Sequence, residues 1–305
     1  MFALLIACTA TTPEDTGLSW DQPDWDTEGA RRWSNTGGWY PNDPEEMLAE
    51  IQRLLGEQDG TPKATVSMLA PHARLLSAGD TAAHVYSRIQ VPDRVILLVP
   101  NHGAGETLAI WDEGPWLVPG TSFQKDVELT DALKAALPEL VPDVDAFSRH
   151  PPEMQLPFLA ELNPNLTFAA VAIRDTPDEH FEQGFDPDEI ARWGTAFAQV
   201  LAANPGTLLL ASTDLTHWES VDTTAIQCQE MLDLIAVNDV PGLHSYVTEG
   251  EVSIGGEIPT AIMMSANAQL GYGQADWQHY GDSFHVNEDP ESVIGYPSLG
   301  TWSSP

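Results

Sequence analysis

Histidines follow three apolar segments that have the length and composition of buried β-strands. These segments and the polar residues after them are Ala64–Ala70 with His72, Arg94–Val99 with Asn101 and His102, and Thr207–Ala211 with Asp214 and His217. In open α/β sheets, ligands bind outside the carboxyl ends of the strands, so these side chains can converge although they lie far apart in the chain. Imidazole and carboxylate groups are ligands for Zn, Fe and Cu, and they also serve as general acids and bases. The pattern therefore predicts a metal-binding or acid–base site at this edge of the sheet.

A further polar group lies in the segment His-Pro-Pro-Glu-Met-Gln-Leu-Pro-Phe, which contains His150, Glu153 and Gln155. Each candidate residue also has an ordinary structural explanation. A histidine after a strand can be a hydrogen-bonded loop residue, Asp214 can cap a helix, and Asn101 can occupy a turn. Likewise, His150 and Glu153 can form a surface pair, and Gln155 can satisfy buried backbone groups. The recurrence of histidine at three strand ends favours a site over these explanations.

The elements that must position these residues alternate along the chain. A further predicted strand covers Thr167–Ile173, and a first helix begins near Asp43 and ends at Gly56. The other predicted helices are Thr81–Ile89, Val127–Ala136, Pro187–Ala203, Val221–Val237 and Thr260–Leu270. Short apolar strands that alternate with helices favour an α/β fold, in which helices cover both faces of a mainly parallel central sheet. We expect one such domain over residues 38–305.

The charge of the chain excludes several classes of partner. Its 305 residues include 46 Asp and Glu but only 12 Lys and Arg, which gives a formal net charge of −34. A surface this negative repels the phosphates of nucleic acids and anionic lipid headgroups, so we expect no nucleic-acid partner. The chain is not simply disordered, because 42% of its residues are hydrophobic and can build a core. The acidic surface suits a salty medium, in which screening relieves the repulsion between carboxylates.

The amino-terminal segment suggests export from the cell. Cys8 follows the short apolar run Leu-Leu-Ile-Ala, which resembles the lipobox of bacterial lipoproteins. Residues 1–8 would then be a lipoprotein signal, and lipidation of Cys8 would attach the protein to the membrane of the cell envelope. Residues 9–37 are acidic and rich in Thr, Pro and Gly, which is typical of a flexible tether. The alternative is a cytoplasmic protein with an unprocessed amino terminus.

The motifs, in this order, resemble those of the Memo family, whose prokaryotic members are called AmmeMemoRadiSam system protein B. The matching segments are Gly38–Pro41, Pro71–Leu75, Ala82–Tyr86, Val99–His102, Arg149–Phe158, Ser212–His217, Tyr280–Ser283 and Val293–Tyr296. The resemblance implies a single α/β domain related in fold to the LigB-type class III extradiol dioxygenases. Those enzymes hold non-haem Fe(II) with two histidines and a carboxylate.

Metal binding in Memo proteins is attributed to two histidines and a cysteine, and this chain departs from that set. The two histidines map onto His72 and His102, but the position of the cysteine holds Gly255. A thiolate is a soft ligand, so its loss makes a Cys-dependent redox role doubtful. The remaining ligands would form a harder site, closer to the two-His, one-carboxylate triad of Fe(II) oxygenases. Asp214 or Glu257 could supply the carboxylate.

The neighbouring residues have expected roles in this scheme. His217 could supply a third imidazole, and His217 and His150 would position substrate or move protons. Asp214 would be a metal ligand or would orient His217. Arg74 adds a cation beside His72, which disfavours a bound metal ion unless the arginine pairs with an anion, such as a charged group of the substrate.

Two functions from different classes are consistent with these residues. The first is a metal-dependent oxidoreductase that binds Fe, Cu or Zn with His72, His102 and Asp214 and acts on a small molecule. The second is a tethered protein without catalytic activity, which binds a small molecule or a peptide at a degenerate metal site. The expected pocket residues are Asn101, Glu153, Gln155, Arg74 and Glu257. A hydrolase ranks last, because the sequence has no Gly-x-Ser-x-Gly elbow and no His-Glu-x-x-His motif.

The charge leads to a prediction about stability. We expect the melting temperature to rise by several degrees between low ionic strength and 0.5 M NaCl, because screening weakens the repulsion between carboxylates. Differential scanning calorimetry in NaCl, rather than in a strongly excluded salt such as sulfate, measures this effect. Equal stability at low and high ionic strength would show that the surface is not adapted to salt.

Overall fold

A computed structural model describes residues 29–31, 38–103, 105–118, 121–174, 185–250 and 252–303. The predicted lipidation site at Cys8 lies outside these residues, as does the predicted tether apart from residues 29–31. Within the described ranges, no helix is both long enough and apolar enough to cross a membrane.

The described residues form eleven strands, nine α-helices and one 3-10 helix. The strands are β1 (Lys63–Ala70), β2 (Ile89–Gln90), β3 (Arg94–Pro100), β4 (Leu108–Ile110), β5 (Trp116–Val118), β6 (Thr121–Lys125), β7 (Val141–Pro142), β8 (Thr167–Ile173), β9 (Leu208–Ser212), β10 (Trp277–Asp282) and β11 (Gly295–Trp302). The α-helices are α1 (Pro44–Gly56), α2 (Leu75–Tyr86), α3 (Val127–Ala136), α4 (Pro151–Leu162), α5 (Pro187–Ala203), α6 (Val221–Ala236), α7 (Val240–Gly250), α8 (Glu257–Leu270) and α9 (Phe284–Asn287). The 3-10 helix covers Asp145–Phe147.

The strands form one mixed sheet. Along its main path the order is β10-β11-β1-β9-β3-β8-β4-β7, while β2 pairs with β1, and β6 joins both β5 and β8. The four central strands β1, β9, β3 and β8 are parallel, whereas β11, β10 and β4 are antiparallel to their inner neighbours. The predicted α/β fold with a mainly parallel sheet is therefore confirmed. Because the central strands are parallel, their carboxyl ends lie along one edge of the sheet.

Each central strand contributes to two hydrophobic cores, because its side chains alternate between the faces of the sheet. In β3, Ile96 and Leu98 belong to the core shared with α3, α5, α6, α7 and α8. Val95, Leu97 and Val99 belong to the core on the other face, shared with α1, α2 and α4. This burial on both faces explains the continuous apolar runs that predict the central strands from sequence.

Helix α2 corrects one sequence prediction. The predicted helix over Thr81–Ile89 is wrong in its bounds, because the helix covers Leu75–Tyr86 and Ile89 belongs to β2. Gly79 lies inside α2, where a Cβ atom would be 2.9 Å from Leu54 Cδ1 of α1. The glycine therefore permits close packing of two helices, although it resembles a helix break in the sequence. As a result, α2 begins close to the carboxyl end of β1.

Helix α4 is absent from the sequence prediction for a different reason. It contains Pro151, Pro152 and Pro157, and prolines normally indicate a loop or a helix end. The first two lie in the first turn, where a backbone N–H has no acceptor within the helix, so the N–H that proline lacks is not missed. Nine of the twelve residues of α4 are buried, so the segment also lacks the amphipathic pattern of a surface helix. Helix α8 begins at Glu257, three residues before its predicted start.

The contact between α5 and α8 provides a test of this packing. A Cβ atom at Gly194 would overlap the side chain of Ser265. We expect Gly194→Ala to lower the free energy of unfolding by about 1–3 kcal/mol, because overpacking forces neighbouring groups to shift. Gly56→Ala is the matched control, since nothing lies within 4 Å of its added Cβ atom. Urea unfolding of both variants measures the difference, and equal stability would contradict the close packing of α5 on α8.

Candidate functional site

Two histidines of the candidate site lie just beyond the carboxyl ends of β1 and β3. Each of these strands ends two residues before its histidine, His72 after β1 and His102 after β3. Strand β9 lies between them, and its last residue, Ser212, pairs with the last residue of β1. The structure thus brings the two histidines together, with 3.2 Å between His72 Nε2 and His102 Nε2.

His150, at the start of α4, completes a group of three. His72, His102 and His150 each offer a ring nitrogen, and these three atoms lie within 4.8 Å of one another. The ring centroids are separated by 5.2, 5.8 and 5.6 Å for His72–His102, His72–His150 and His102–His150. Two nitrogens at ~2.0–2.1 Å from one tetrahedral zinc ion lie about 3.3 Å apart, close to the separation of the first pair. The three rings could therefore hold one metal ion.

The three rings extend from the interior to the surface. His72 is 2% exposed, His150 is half-buried and His102 is exposed. The His150 ring stacks on Trp39, with centroids 3.5 Å apart and planes inclined by 20°. A ligand could therefore enter from the side of His102.

Arg31 holds the backbone on both sides of His150. Its Nε and Nη2 donate to Phe147 O at 2.9 and 2.6 Å, and Nη2 also donates to Arg149 O at 3.2 Å. Its Nη1 forms an ion pair with Glu153 Oε1 at 2.7 Å, in the first turn of α4. The guanidinium thus links the loop before the histidine to the helix after it.

Arg31 itself is fixed against β5. Its N–H donates to Pro115 O at 2.9 Å, and Leu117 N donates to Arg31 O at 2.9 Å. Its guanidinium carbon lies 4.2 Å from the centroid of the Trp116 ring, which is a cation–π distance. The described part of the predicted tether therefore pairs with a strand of the domain.

A buried hydrogen-bond network orients His72. Its Nδ1 lies 3.2 Å from Ser212 Oγ. Gln155 Nε2 donates to Ser212 Oγ and to Pro71 O, both at 2.8 Å, and Tyr86 OH donates to Gln155 Oε1 at 2.8 Å. A hydrogen bond at Nδ1 leaves Nε2 directed toward the other two rings, as outer partners do for metal-bound histidines.

The Asp214 side chain supports the backbone of the same histidine. Its Oδ1 accepts from the N–H groups of His72 and Ala73 at 2.9 and 3.2 Å, and its Oδ2 lies 3.7 Å from His72 Nε2. Burial raises the pKa of Asp214 to about 7, although the two backbone donors lower it. The sequence predicts Asp214 as the third metal ligand, whereas the group of three that the structure forms contains His150.

The histidines of the group favour the neutral form. Burial lowers the pKa of His72 well below its usual value, and the neighbouring His102, His150 and His217 lower it further. Burial, followed by the charges of His102 and Arg149, lowers the pKa of His150 to about 3. Metal ions bind the neutral imidazole, so these rings need not lose protons at neutral pH to act as ligands.

His217 lies beside the group of three, next to the position of the missing cysteine. Its pKa is lowered to about 4 by burial. Gly255 pairs with Asp214 through two backbone hydrogen bonds of 3.0 and 2.9 Å. A Cβ atom on Gly255 would lie 3.1 Å from His217 Cε1. A cysteine at this position would therefore crowd the imidazole ring that borders it.

The other predicted site residues have clear positions. Asn101 is buried and shapes the loop around His102, since its Oδ1 accepts from Gly103 N at 2.9 Å and its Nδ2 donates to Glu106 O at 3.2 Å. Glu257 is the first residue of α8 and is only 1% exposed. Arg74 is exposed at the start of α2.

Glu153 and Gln155 are also buried. The Glu153 carboxylate pairs with Arg31, and the Gln155 amide donates to Ser212 and Pro71, as described above. The structure adds five residues for which the sequence predicts no role: Arg31, Trp39, Tyr40, Tyr86 and Ser212. Trp39 and Tyr40 lie in the first motif of the family resemblance, and Tyr40 OH donates to Glu153. The signal for Arg31 is its charge, because bases are rare in this chain.

A cavity of about 780 Å³ lies at the opposite edge of the sheet, among the amino ends of β1 and β3. Its walls include Thr65, Asp93, Arg94 and Thr207. None of the predicted site residues lines it. The histidines and their partners gather instead at the carboxyl edge.

Known proteins show where this chain belongs. A family model described as Memo-like protein matches residues 31–300. A MEMO1 family protein of Methanosarcina acetivorans is 28% identical over 266 residues, which cover 86% of this chain and 96% of the relative. One of Methanopyrus kandleri is 29% identical over 280 residues, with 86% and 95% covered. An uncharacterized protein of Escherichia coli K12 has a solved structure with a TM-score of 0.48 and 13% identity, which covers 76% of this chain and 99% of that one.

The ion pair of Arg31 predicts a large effect on stability. We expect Arg31→Met to lower the free energy of unfolding by about 3 kcal/mol, because it leaves the buried Glu153 carboxylate without its cation. Arg53→Met is the control, since Arg53 pairs with Glu50 and Glu57 at the surface, where an ion pair contributes roughly 0–1 kcal/mol. Urea denaturation measures both variants.

A double variant separates the ion pair from packing. Arg31→Met with Glu153→Gln should recover part of the lost stability, because position 153 then carries no buried negative charge. If the double variant is as unstable as Arg31→Met alone, the buried charge is not the cause.

Proposed function

This chain belongs to the Memo-like protein family, which its match over residues 31–300 establishes, and from that premise we propose that it is a metal-binding protein. The observation that carries the proposal is the group of His72, His102 and His150, whose ligand nitrogens lie within 4.8 Å of one another. His72 is 2% exposed, so it has little contact with solvent. Burial also keeps it neutral, which suits a metal ligand.

The ligand set favours a borderline transition metal. Three imidazoles suit Zn, Cu or Fe, whereas Mg and Ca prefer oxygen ligands. Asp214 is the nearest carboxylate described for this group, at 3.7 Å from His72 Nε2, and it could extend the set. When bound, Fe or Cu would supply redox chemistry and Zn would polarise a bound oxygen atom.

We propose that the activity is that of a metal-dependent oxidoreductase on a small molecule. The side chains that would act on the substrate lie around the three histidines. Beyond the effect of burial, His217 is close enough for its charge to lower the pKa of His72 and His102, and it could orient a substrate. Asp214, whose pKa is raised to about 7 by burial, could hold or release a proton near neutral pH. Ser212, Gln155 and Tyr86 would keep the His72 ring in place during turnover.

A second function is favoured by one observation. Gly255 stands where the family resemblance expects a cysteine ligand, so the site could have lost redox chemistry while it kept a ligand pocket. In that case the protein would bind a small molecule or a peptide without catalysis, and a metal ion would be dispensable.

Metal content tests the first proposal. We expect about one Zn, Fe or Cu ion per chain in the purified protein, and background levels after His72→Ala, His102→Ala or His150→Ala. His285→Ala is the control, because His285 is exposed on α9, outside the group of three. Elemental analysis by mass spectrometry gives the stoichiometry, and histidine variants that retain the metal would refute the proposal.

Thermal stability separates the two functions. If the metal site is active, chelation should lower the melting temperature, because a ligand that binds the folded state stabilises it. A melting temperature that is insensitive to chelator, together with ligand-induced stabilisation in the chelator's presence, would favour the non-catalytic binding protein.

A further inference from the structure

Basic side chains are scarce in this chain, and among the described residues most of those without an acidic partner gather at one edge. The chain has 12 Lys and Arg against 46 Asp and Glu. Among the described residues, the bases that form ion pairs with carboxylates are Arg31, Arg53, Arg88, Arg94, Lys125, Lys134 and Arg192. Those for which the described residues supply no such partner are Lys63, Arg74, Arg149 and Arg174.

Three of these four lie at the carboxyl edge of the sheet, where the histidines are. Arg74 immediately precedes α2 and comes four residues after the end of β1, Arg149 precedes α4 by two residues, and Arg174 follows β8. Lys63 begins β1 at the opposite edge. In a protein with a net charge of −34, an exposed arginine has many carboxylates to choose from. Arg74 and Arg149 are exposed at one edge and find no such partner among the described residues, so they mark a local positive potential there.

Arg74 and Arg149 are the two bases nearest to the group of three. The Arg74 guanidinium carbon lies 5.7 Å from the centroid of the Trp39 ring, and that ring stacks on His150. Arg149 directly precedes His150 in the chain, and its carbonyl oxygen accepts from Arg31 Nη2 at 3.2 Å. Both guanidinium groups are thus within electrostatic reach of the site, and both are exposed.

The helices that begin at the site add to this potential. α2, α4 and α8 have no side-chain cap at their first turn, whereas α1, α3, α5 and α6 are capped by Asp43, Asp126, Asp186 and Ser220. A helix amino terminus carries a partial positive charge, which an aspartate cap would offset. The first turns of α4 and α8 each hold a carboxylate, Glu153 and Glu257, and Glu153 is paired with Arg31. The first turn of α2 holds no acidic residue, so its amino terminus adds positive charge beside Arg74.

We propose that this site binds a small organic anion, and that Arg74 and Arg149 receive its carboxylate or phosphate group beside His72, His102 and His150. The guanidinium group suits both of these oxyanions, because it can donate two parallel hydrogen bonds. The inference rests on the proposed function, since the part of the ligand beyond its anionic group would face the metal-binding histidines. It names the substrate class that a net charge of −34 would otherwise repel.

Calorimetric titration with three related probes tests the proposal. Benzoate and phenyl phosphate carry the anionic group, and benzamide is the neutral analogue. We expect at least one of the two anions to bind about tenfold or more tightly than benzamide, both in the chelator-treated protein and in the protein reloaded with Zn²⁺. The stronger of the two anions identifies carboxylate or phosphate as the preferred group.

Variants locate the effect. Arg74→Gln and Arg149→Gln should each weaken anion binding about tenfold and leave benzamide unchanged, because each removes one charged donor. Lys63→Gln is the matched control, since it removes the same charge at the opposite edge of the sheet. Bound metal, measured in the same samples, should not fall in either arginine variant.

The outcomes separate this inference from the proposed function. If anions bind no better than benzamide, or if the double arginine variant keeps the preference, the inference is wrong even when the metal content is normal. The same holds if Lys63→Gln weakens anion binding as much as the arginine variants. If the anion preference is seen in a protein that binds no metal, the inference survives and the metal proposal fails.

Discussion

The register of β1 and β3 against β9 is the constraint on which the site depends. Ala70 pairs with Ser212, and Leu98 pairs with Ala211, so the three strands end nearly level with β9 in the middle. This alignment puts the Ser212 hydroxyl beside the His72 ring, and the Asp214 carboxylate within hydrogen-bond distance of the His72 N–H. Because successive side chains of a strand point to opposite faces, a slip of one residue would move Ser212 away and break the network through Gln155. The continuous apolar core on both faces makes such a slip costly. The chemistry therefore depends on the packing of the sheet as much as on the histidines.

The electrostatics of the molecule are divided between surface and site. The surface carries the excess of carboxylates, while the site is built from groups that are neutral or paired. Burial lowers the pKa of His72 and raises that of Asp214, so both favour their uncharged forms. Glu153 is ionically paired with Arg31 in a nearly solvent-free position. A neutral cluster of imidazoles within an acidic protein could accept a metal cation without the loss of bound protons, and the proposed anion would meet the nearby arginines.

Much of the fold could be predicted from the sequence, because in many elements the local residue pattern and the burial in the folded protein indicate the same secondary structure. The bounds of β8, α3 and α5 match the prediction, since apolar runs and a Pro–Asp start are local signals. His72 and His102 could be predicted to converge, because a rule about strand ends connects distant residues. His150 was expected at the site as a residue that positions substrate or moves protons, but its place in the group of three could not be predicted, because α4 is rich in proline and Arg31 contacts the backbone on both sides of it. Arg31 in turn lies in a segment whose composition indicates a tether, and only its pairing with β5 reveals the contact. The predicted bounds of α2 were wrong, and Gly79, inside that helix, serves the packing of α1 on α2.

The central claim is that three imidazoles, without a thiolate, hold one metal ion. X-ray absorption at the zinc K-edge of the Zn²⁺-loaded protein tests this most directly, because nitrogen and sulfur ligands differ in distance and scattering. We expect nitrogen or oxygen neighbours at about 2.0–2.1 Å, with the multiple-scattering pattern of about three imidazole rings. A sulfur neighbour at about 2.3 Å, or a first shell without imidazole scattering, would contradict it.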